Sequence, residues 1–284
     1  MPERAPSKAV LITGCSTGIG RATAERLVAG GHTVYATARR VETIEDLQER
    51  GCRTLALDVT DEASMATAVE AVVREEGAVG VLVNNAGYSQ SGALESLAMD
   101  DVRRQFETNV LGLLRMCQLA LPGMRDQRWG RIVNVSSMGA NFVFPGGGIY
   151  HATKYAVDAM SDALRFEVKG FGVDVAIVQP GLIRTEFANT AAAEAGGPDG
   201  GPYASFNAIV AQSTRDAYTG PLARLGGGPE AVAKAIERAV TSRRPKIRYR
   251  VTPSAHLLIR QRQLMTDGMW DRVLARQFPR PGVE

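Results

Sequence analysis

The chain alternates short apolar runs with longer amphipathic ones, and this alternation restricts the fold more than any other feature of the sequence. Six runs rich in β-branched and aliphatic residues are typical of strands. They span residues 9–13, 33–37, 53–57, 79–83, 131–135 and 173–178. Because these runs are apolar on both faces and helical patterns separate them, they predict parallel strands joined by right-handed crossovers. We therefore expect an α/β fold, a doubly wound parallel sheet with helices on both faces.

The regular alternation stops after Leu182. Residues 186–228 contain the glycine- and proline-rich stretches AAAEAGGPDGGP and GGGP, which predict a mobile substrate-binding lid rather than a linker to a second domain. Residues 246–284 begin with KIRYRV and predict a last strand followed by one or two helices. The expectation is a single domain over residues 1–284.

Composition excludes several classes of protein. With 45% hydrophobic and 22% charged residues, the chain resembles globular rather than disordered proteins. No run approaches the ~18 apolar residues of a membrane span, and the short charged start lacks the features of a signal peptide, so we expect a cytoplasmic protein. The three cysteines and three histidines lack metal-ligand spacing, which predicts neither a metal site nor disulfides.

Basic residues concentrate near the end of the sequence. From Thr241 onward there are ten Arg or Lys against three acids, a charge of +7 within a total of +3. A solvated helix face explains such a segment, and no nucleic-acid module accompanies it. We expect neither a nucleic-acid nor a membrane partner. A peripheral membrane contact is the alternative, and it would use Arg260, Arg262, Arg272 and Arg276 beside Leu258, Trp270 and Phe278.

A glycine-rich turn follows the first predicted strand and precedes a helical pattern. Glycines at such a turn allow a pyrophosphate to approach the backbone at a helix N-terminus, although tight turns also need glycine for conformational reasons alone. The candidate cofactor contacts here are Gly14, Ser16, Thr17, Gly18, Ile19 and Gly20. After the second strand, Arg39 and Arg40 stand where an acid would bind the ribose of NAD. Unless they are merely solvated charges, they favour the 2′-phosphate of NADP.

Tyr150 and Lys154 lie four residues apart in a helical pattern, so both side chains project from one face. An ammonium at that spacing is expected to lower the pKa of the phenol, although a surface pair is the simpler alternative. Ser137 follows a predicted strand thirteen residues before Tyr150, where its hydroxyl could bind a substrate oxygen or only form a turn. Asn109 is a poor helix former within a helical pattern, which indicates a bend or a buried hydrogen bond.

In order and spacing, these residues resemble the classical short-chain dehydrogenase/reductase family over about residues 8–185. The resemblance implies a Rossmann-type fold and a catalytic tetrad of Asn109, Ser137, Tyr150 and Lys154. It also implies cofactor contacts from Asp58, Val59, Asn85, Ala86, Gly87, Tyr150, Lys154, Pro180, Gly181, Ile183 and Thr185. The residues at 84–87 could equally serve only the turn. The glycine turn lacks the basic residue that NADP-preferring members often carry, so the NADP prediction depends mainly on Arg39.

The resemblance further implies NADPH-dependent reduction of a ketone or aldehyde, or oxidation of the corresponding alcohol. YATARR and RYRVTPSAHLL are similar to the hydroxysteroid and retinol dehydrogenase branch, which suggests a hydrophobic steroid, retinoid, polyketide or lipid-like substrate. The candidate substrate contacts are Ser137, Met138, Phe142, Phe144, Tyr150 and Phe187, although the apolar ones could equally be core residues. The family commonly forms homodimers or homotetramers. The alternative function is a non-catalytic NADP(H)-binding regulator.

Overall fold

The computed structural model describes residues 5–185 and 201–282, and its centre is a seven-stranded sheet. The strands are β1 (Val10–Ile12), β2 (Val34–Ala38), β3 (Arg53–Ala56), β4 (Val81–Asn84), β5 (Gly130–Val135), β6 (Val173–Pro180) and β7 (Arg248–Val251). Every pairing is parallel, and the spatial order is β3-β2-β1-β4-β5-β6-β7. The strand order reverses direction between β1 and β4, so the carboxyl edge opens there into a crevice.

Helices cover both faces of the sheet. They are α1 (Gly18–Ala29), α2 (Asp46–Glu49), α3 (Glu62–Glu76), α4 (Met99–Phe106), α5 (Gly112–Asp126), α6 (Gly148–Glu167), α7 (Ala204–Thr219), α8 (Pro229–Thr241), α9 (Pro253–Leu264) and α10 (Asp267–Leu274). Val10 and Ile12 of β1 pack under α1 and α8, while Leu11 between them packs under α3 and α5. Successive side chains of a strand point to opposite faces, so strands covered on both sides must be apolar throughout. This confirms the predicted doubly wound α/β fold.

The strands lie where the apolar runs predicted them, with ends displaced by no more than two residues. The last one, expected at 246–251, is β7 at the edge of the sheet. Of the predicted lid, residues 186–200 lie outside the described residues. The remainder, 201–228, forms α7 and a short 3-10 turn, Pro221–Leu225.

The two C-terminal helices pack against the loop that follows β5. Ala255, Ile259 and Trp270 share an apolar cluster with Met138 and Phe142. Trp270 is 5% exposed, and its Nε1 donates a hydrogen bond to the Val143 carbonyl at 3.3 Å. It is therefore a core residue, contrary to the alternative that placed it at a membrane surface. Within the described ranges, no helix combines the length and apolar composition needed to cross a bilayer.

Candidate active site

The turn between β1 and α1 has a conformation that requires glycine. Gly14 has φ +74° and Gly18 has φ +59°, both in the left-handed region that L side chains rarely adopt. A Cβ on Gly20 would overlap the carbonyl oxygen of Gly14. Thr17 precedes α1 without making a side-chain capping bond, so no cap consumes the first N–H groups of this helix. Backbone donors at a positive helix end suit a phosphate group.

Asn85 holds this turn in place. Its Nδ2 donates to the carbonyl oxygens of Thr13 (3.0 Å) and Gly14 (2.9 Å). The Thr13 hydroxyl in turn accepts the N–H groups of Asn85 and Ala86, each at 3.0 Å. The Asn85 side-chain amide thus has a structural role in this turn, and a binding role for residues 84–87 stays a prediction.

A cavity of about 1390 Å³ lies along the carboxyl edge of the sheet. It is lined by most of the sequence-predicted cofactor residues, which are Gly14, Ser16, Thr17, Gly18, Ile19, Arg39, Asp58, Val59, Asn85, Ala86, Gly87, Tyr150, Lys154, Pro180, Gly181, Ile183 and Thr185. Gly20 lies beneath the turn instead. Arg40 is exposed and does not line the cavity, and its carbonyl oxygen accepts hydrogen bonds from Thr43.

The four predicted catalytic residues come from three segments of the chain, and two of them, those of Asn109 and Lys154, meet beside Gly87. Ser137 follows β5, Tyr150 and Lys154 lie on α6, and Asn109 lies in a π-helical turn, Glu107–Leu111, between α4 and α5. The Lys154 Nζ donates to the Val135 carbonyl at 3.0 Å and lies 5.9 Å from the Tyr150 ring centroid. A Cβ built on Gly87 would lie 3.0 Å from Asn109 Oδ1 and 3.7 Å from Lys154 Nζ. Glycine therefore permits this close approach.

Asn109 is buried, and the helix that carries it widens locally into the π-helical turn. Its Oδ1 accepts the N–H of Tyr88 at 3.0 Å, and its Nδ2 donates to the Tyr88 carbonyl at 2.9 Å and to Thr153 Oγ1 at 3.1 Å. A local distortion and buried hydrogen bonds are thus both present at this position. The side chain fixes the segment after Gly87 against α6, the helix of Tyr150 and Lys154.

Burial controls the proton affinities at this site. It raises the pKa of Tyr150, and a hydrogen bond with Ser137 acts in the opposite direction. Burial lowers the pKa of Lys154 to about 8, and the nearby Asp158 carboxylate opposes that shift. The pKa of Tyr150 is therefore raised, not lowered as the spacing to Lys154 predicts, because the cost of burying a phenolate exceeds the effect of the hydrogen bond with Ser137. Tyr150 is accordingly a protonated phenol at neutral pH.

The far end of the cavity is aromatic. The predicted substrate residues Ser137, Met138, Phe142, Phe144 and Tyr150 all line it, and Phe187 lies outside the described residues. Phe142 and Phe144 stack edge to face with centroids 5.1 Å apart, and Trp270 lies 5.9 Å from each. Met138 and Phe142 also belong to the apolar core, so the two alternatives are compatible.

Sequence reasoning missed several residues of this wall. His151, Tyr218, Leu258, Trp270 and Phe278 line the cavity as well. The sequence pattern assigns Leu258, Trp270 and Phe278 to the C-terminal helices and, as the alternative, to a membrane surface, but it does not identify them as cavity residues. The sequence around Tyr218 carries no signal that would have identified it.

Comparison with known proteins agrees with this geometry. A family model described as short chain dehydrogenase matches residues 8–196. A 3-ketodihydrosphingosine reductase of Bacteroides thetaiotaomicron is 36% identical over 267 residues, covering 93% of this chain and 96% of the relative. An NADPH-dependent 3-dehydrocapnine reductase of Ornithobacterium rhinotracheale is 32% identical over 274 residues, covering 93% of this chain and 94% of that relative. The crystal structure of a short-chain dehydrogenase from Streptomyces avermitilis superposes with a TM-score of 0.74 at 32% identity, covering 96% of this chain and 95% of that one. The chain therefore belongs to the short-chain dehydrogenase/reductase family of oxidoreductases, which act on small-molecule substrates.

Proposed function

We propose that the protein is an NADPH-dependent reductase of a hydrophobic ketone or aldehyde, and that it oxidises the corresponding alcohol when NADP⁺ is in excess. The observation that carries this proposal is the position of Ser137, Tyr150 and Lys154 between a glycine turn at one end of a single cavity and an aromatic wall at the other. The names of two relatives support it, since both are reductases and one is NADPH-dependent.

The residues at the glycine end fit a dinucleotide. Gly14 and Gly18 allow close backbone approach, and the uncapped N-terminus of α1 suits the pyrophosphate. Asp58 and Val59 border the same cavity and would contact the adenine. These features are common to NAD and NADP.

Arg39 provides the preference for NADPH in this proposal. It lines the cavity, is exposed, and makes no hydrogen bond or ion pair with any residue in the described ranges. A guanidinium at the end of β2 matches a ribose 2′-phosphate, which it can bind through two parallel hydrogen bonds.

The side chains then divide the work of reduction. The nicotinamide, when bound, supplies the hydride that the carbonyl carbon accepts. Tyr150 donates its phenolic proton to the carbonyl oxygen, and its raised pKa keeps that proton in place beforehand. Ser137 hydrogen-bonds the same oxygen and polarises the carbonyl. The ammonium of Lys154 stabilises the phenolate that remains, and we propose that Asn109 holds a water that returns a proton from solvent.

The apolar end of the cavity favours a lipophilic substrate. Phe142, Phe144 and Trp270 present aromatic surface to it, and Leu258 and Phe278 extend that surface. Such a lining would bind an alkyl chain or a fused ring through burial of apolar area. We therefore favour a lipid-like ketone. Residues 201–228 would act as part of the lid, because Val210, Tyr218 and Leu222 line the cavity from that side.

The test combines cofactor binding with turnover. The parent protein is titrated calorimetrically with NADPH and NADH, and nicotinamide absorbance is followed with a panel of lipophilic ketones. We expect tighter binding of NADPH and its oxidation with at least one ketone. Tyr150→Phe is expected to bind NADPH normally and to lose turnover by about a hundredfold or more. Normal turnover in Tyr150→Phe would overturn the mechanism, and NADPH binding without turnover of any ketone would favour the non-catalytic regulator.

A further inference from the structure

A second, smaller recess of about 510 Å³ adjoins the main cavity. Tyr218, Gly220 and Pro221 line both spaces, so the recess begins where the main cavity meets the end of α7. Arg184 and Arg224 line the recess but not the main cavity. The main cavity therefore has an aromatic end, and beside it lies an open recess lined by two arginines.

The backbone fixes the two arginines on neighbouring segments. The N–H of Arg184 donates to the Gly227 carbonyl at 2.9 Å, and the N–H of Gly227 donates to the Leu182 carbonyl at 2.9 Å. A Cβ on Gly226 would lie only 2.5 Å from the Leu182 carbonyl oxygen, so the two segments approach as closely as glycine permits. Arg224 lies just before these glycines, in the turn Pro221–Leu225.

Neither guanidinium is neutralised by the part of the chain that the structure describes. Both side chains are exposed, and neither makes a hydrogen bond or an ion pair with another described residue. Asp216 lies on the wall of the adjoining main cavity and accepts a hydrogen bond from the neutral Gln212 amide at 2.7 Å, so its carboxylate keeps one negative charge against the two guanidinium charges. Among the described residues, the recess thus has a local excess of positive charge, which favours an anion.

Tyr218 lies at the boundary between the recess and the main cavity. Burial raises the pKa of its phenol to about 12, so the hydroxyl remains a neutral donor at physiological pH. Tyr150 and Tyr218 both line the main cavity, and Tyr218 also lines the recess. A substrate whose carbonyl oxygen is bound by Tyr150 could therefore reach Tyr218 and the recess through neighbouring atoms.

We propose that Arg184, Arg224 and the Tyr218 hydroxyl form a subsite for an anionic head group, a carboxylate, sulfonate or phosphate, on the ketone substrate. This inference rests on the proposed reductase function and specifies its substrate class. The substrate is an amphipathic ketone with its carbonyl at Tyr150, its apolar chain along Phe144 and Trp270, and its anionic group between the two arginines.

The experiment compares two ketones that differ only in charge, a medium-chain γ-keto fatty acid and its methyl ester. We expect the parent protein to reduce the acid with a kcat/KM about tenfold or more above that of the ester. R184Q/R224Q is expected to remove that preference by lowering kcat/KM for the acid alone. Y218F is expected to weaken the same preference in part. The matched control is R243Q/R244Q, which removes the same charge from two exposed arginines that line neither cavity.

Four further outcomes are informative. Equal kcat/KM for acid and ester in the parent would overturn the subsite while the reductase function stood. A large loss of NADPH affinity in R184Q/R224Q, measured by titration, would assign the arginines to the cofactor and also overturn it. If neither ketone turned over, the proposed function would be in question, and calorimetric binding of the keto acid to the parent and to R184Q/R224Q would still decide the subsite. Competition by free inorganic phosphate at millimolar concentration, with no preference between the ketones, would identify an adventitious anion site and reject the subsite.

Discussion

The Nε2 atom of His151 accepts a hydrogen bond from the backbone N–H of Phe144 at 3.2 Å, and the Nδ1 atom of the same ring lies 2.8 Å from the Gly139 carbonyl oxygen. Only the neutral tautomer with hydrogen on Nδ1 satisfies both partners. Burial lowers the pKa of this ring, which favours that neutral form. The residue next to Tyr150 therefore fixes both ends of the loop that forms the aromatic wall.

His151→Ala is expected to raise KM for a lipophilic ketone several-fold and to lower the free energy of unfolding by about 2 kcal/mol, since two buried hydrogen bonds are lost. NADPH affinity should change little, because both hydrogen bonds of the ring hold the loop between Gly139 and Phe144 rather than the glycine turn. Steady-state kinetics, NADPH titration and denaturant unfolding measure the three quantities. His256→Ala, at an exposed position on α9, is the control. His151→Gln keeps a donor and an acceptor, so it should recover part of the lost stability and part of the rise in KM. If KM in His151→Ala equalled that of the parent, His151 would have no role in holding the aromatic loop.

The reductive rate should fall as the pH rises above about 8, where Lys154 loses its proton. Below that pH the ammonium form dominates and can stabilise the Tyr150 phenolate; above it the neutral amine cannot. Asp158→Asn removes the carboxylate that favours the ammonium, so the pKa of Lys154 should fall further and the alkaline limb should move to lower pH. The measurement is kcat against pH for both proteins. An alkaline limb that stayed in place, or moved upward, would contradict the assignment.

Arg39→Gln is expected to weaken NADPH binding by about tenfold to a hundredfold and to leave NADH binding nearly unchanged, because only the 2′-phosphate loses its partner. Calorimetric titration with both nucleotides provides the ratio. Arg40→Gln is the matched control, since its side chain lies next in sequence but outside the cavity. Equal losses in the two variants would show that general positive charge, rather than a specific contact, attracts the nucleotide.

Gly87→Ala should lower kcat by about tenfold, because its methyl group would lie 3.0 Å from Asn109 Oδ1 and 3.7 Å from Lys154 Nζ. The tighter contact forces the Asn109 amide, and the segment that it anchors, away from α6. Gly170→Ala is the comparison, because a Cβ there meets no atom within 4 Å. Crystallography of the variant would locate the shift, and an unchanged kcat would mean that the site tolerates the displacement.

The fold could be predicted almost completely from the sequence because the strands are buried on both faces. Runs such as VLI in β1 and VAIV at residues 175–178 of β6 are continuously apolar, and in a chain with intervening helices that pattern is typical of parallel strands covered on both sides. The strand ends moved slightly, since hydrogen bonding rather than hydropathy decides where pairing stops.

The site was predicted less evenly. Tyr150 and Lys154 are neighbours on one helix, so local spacing identified them. The wall formed by Phe144 and Trp270 joins residues far apart in the chain, and only the packing of α10 against the loop after β5 reveals it. The raised pKa of Tyr150 was also beyond reach, because burial depends on every element around the phenol.

The hydrogen bond between Trp270 and Val143 joins residues that are 127 positions apart in the chain, so it can form only late in synthesis. The glycine turn and Gly87 are synthesised in the first third of the chain, whereas α10, which carries Trp270, is synthesised near its end. Phe142 and Phe144 are therefore synthesised more than a hundred residues before Trp270, the residue whose indole packs against them. A chain that ended before Trp270 would still contain the glycine turn, but it would lack the indole that packs against Phe142 and Phe144.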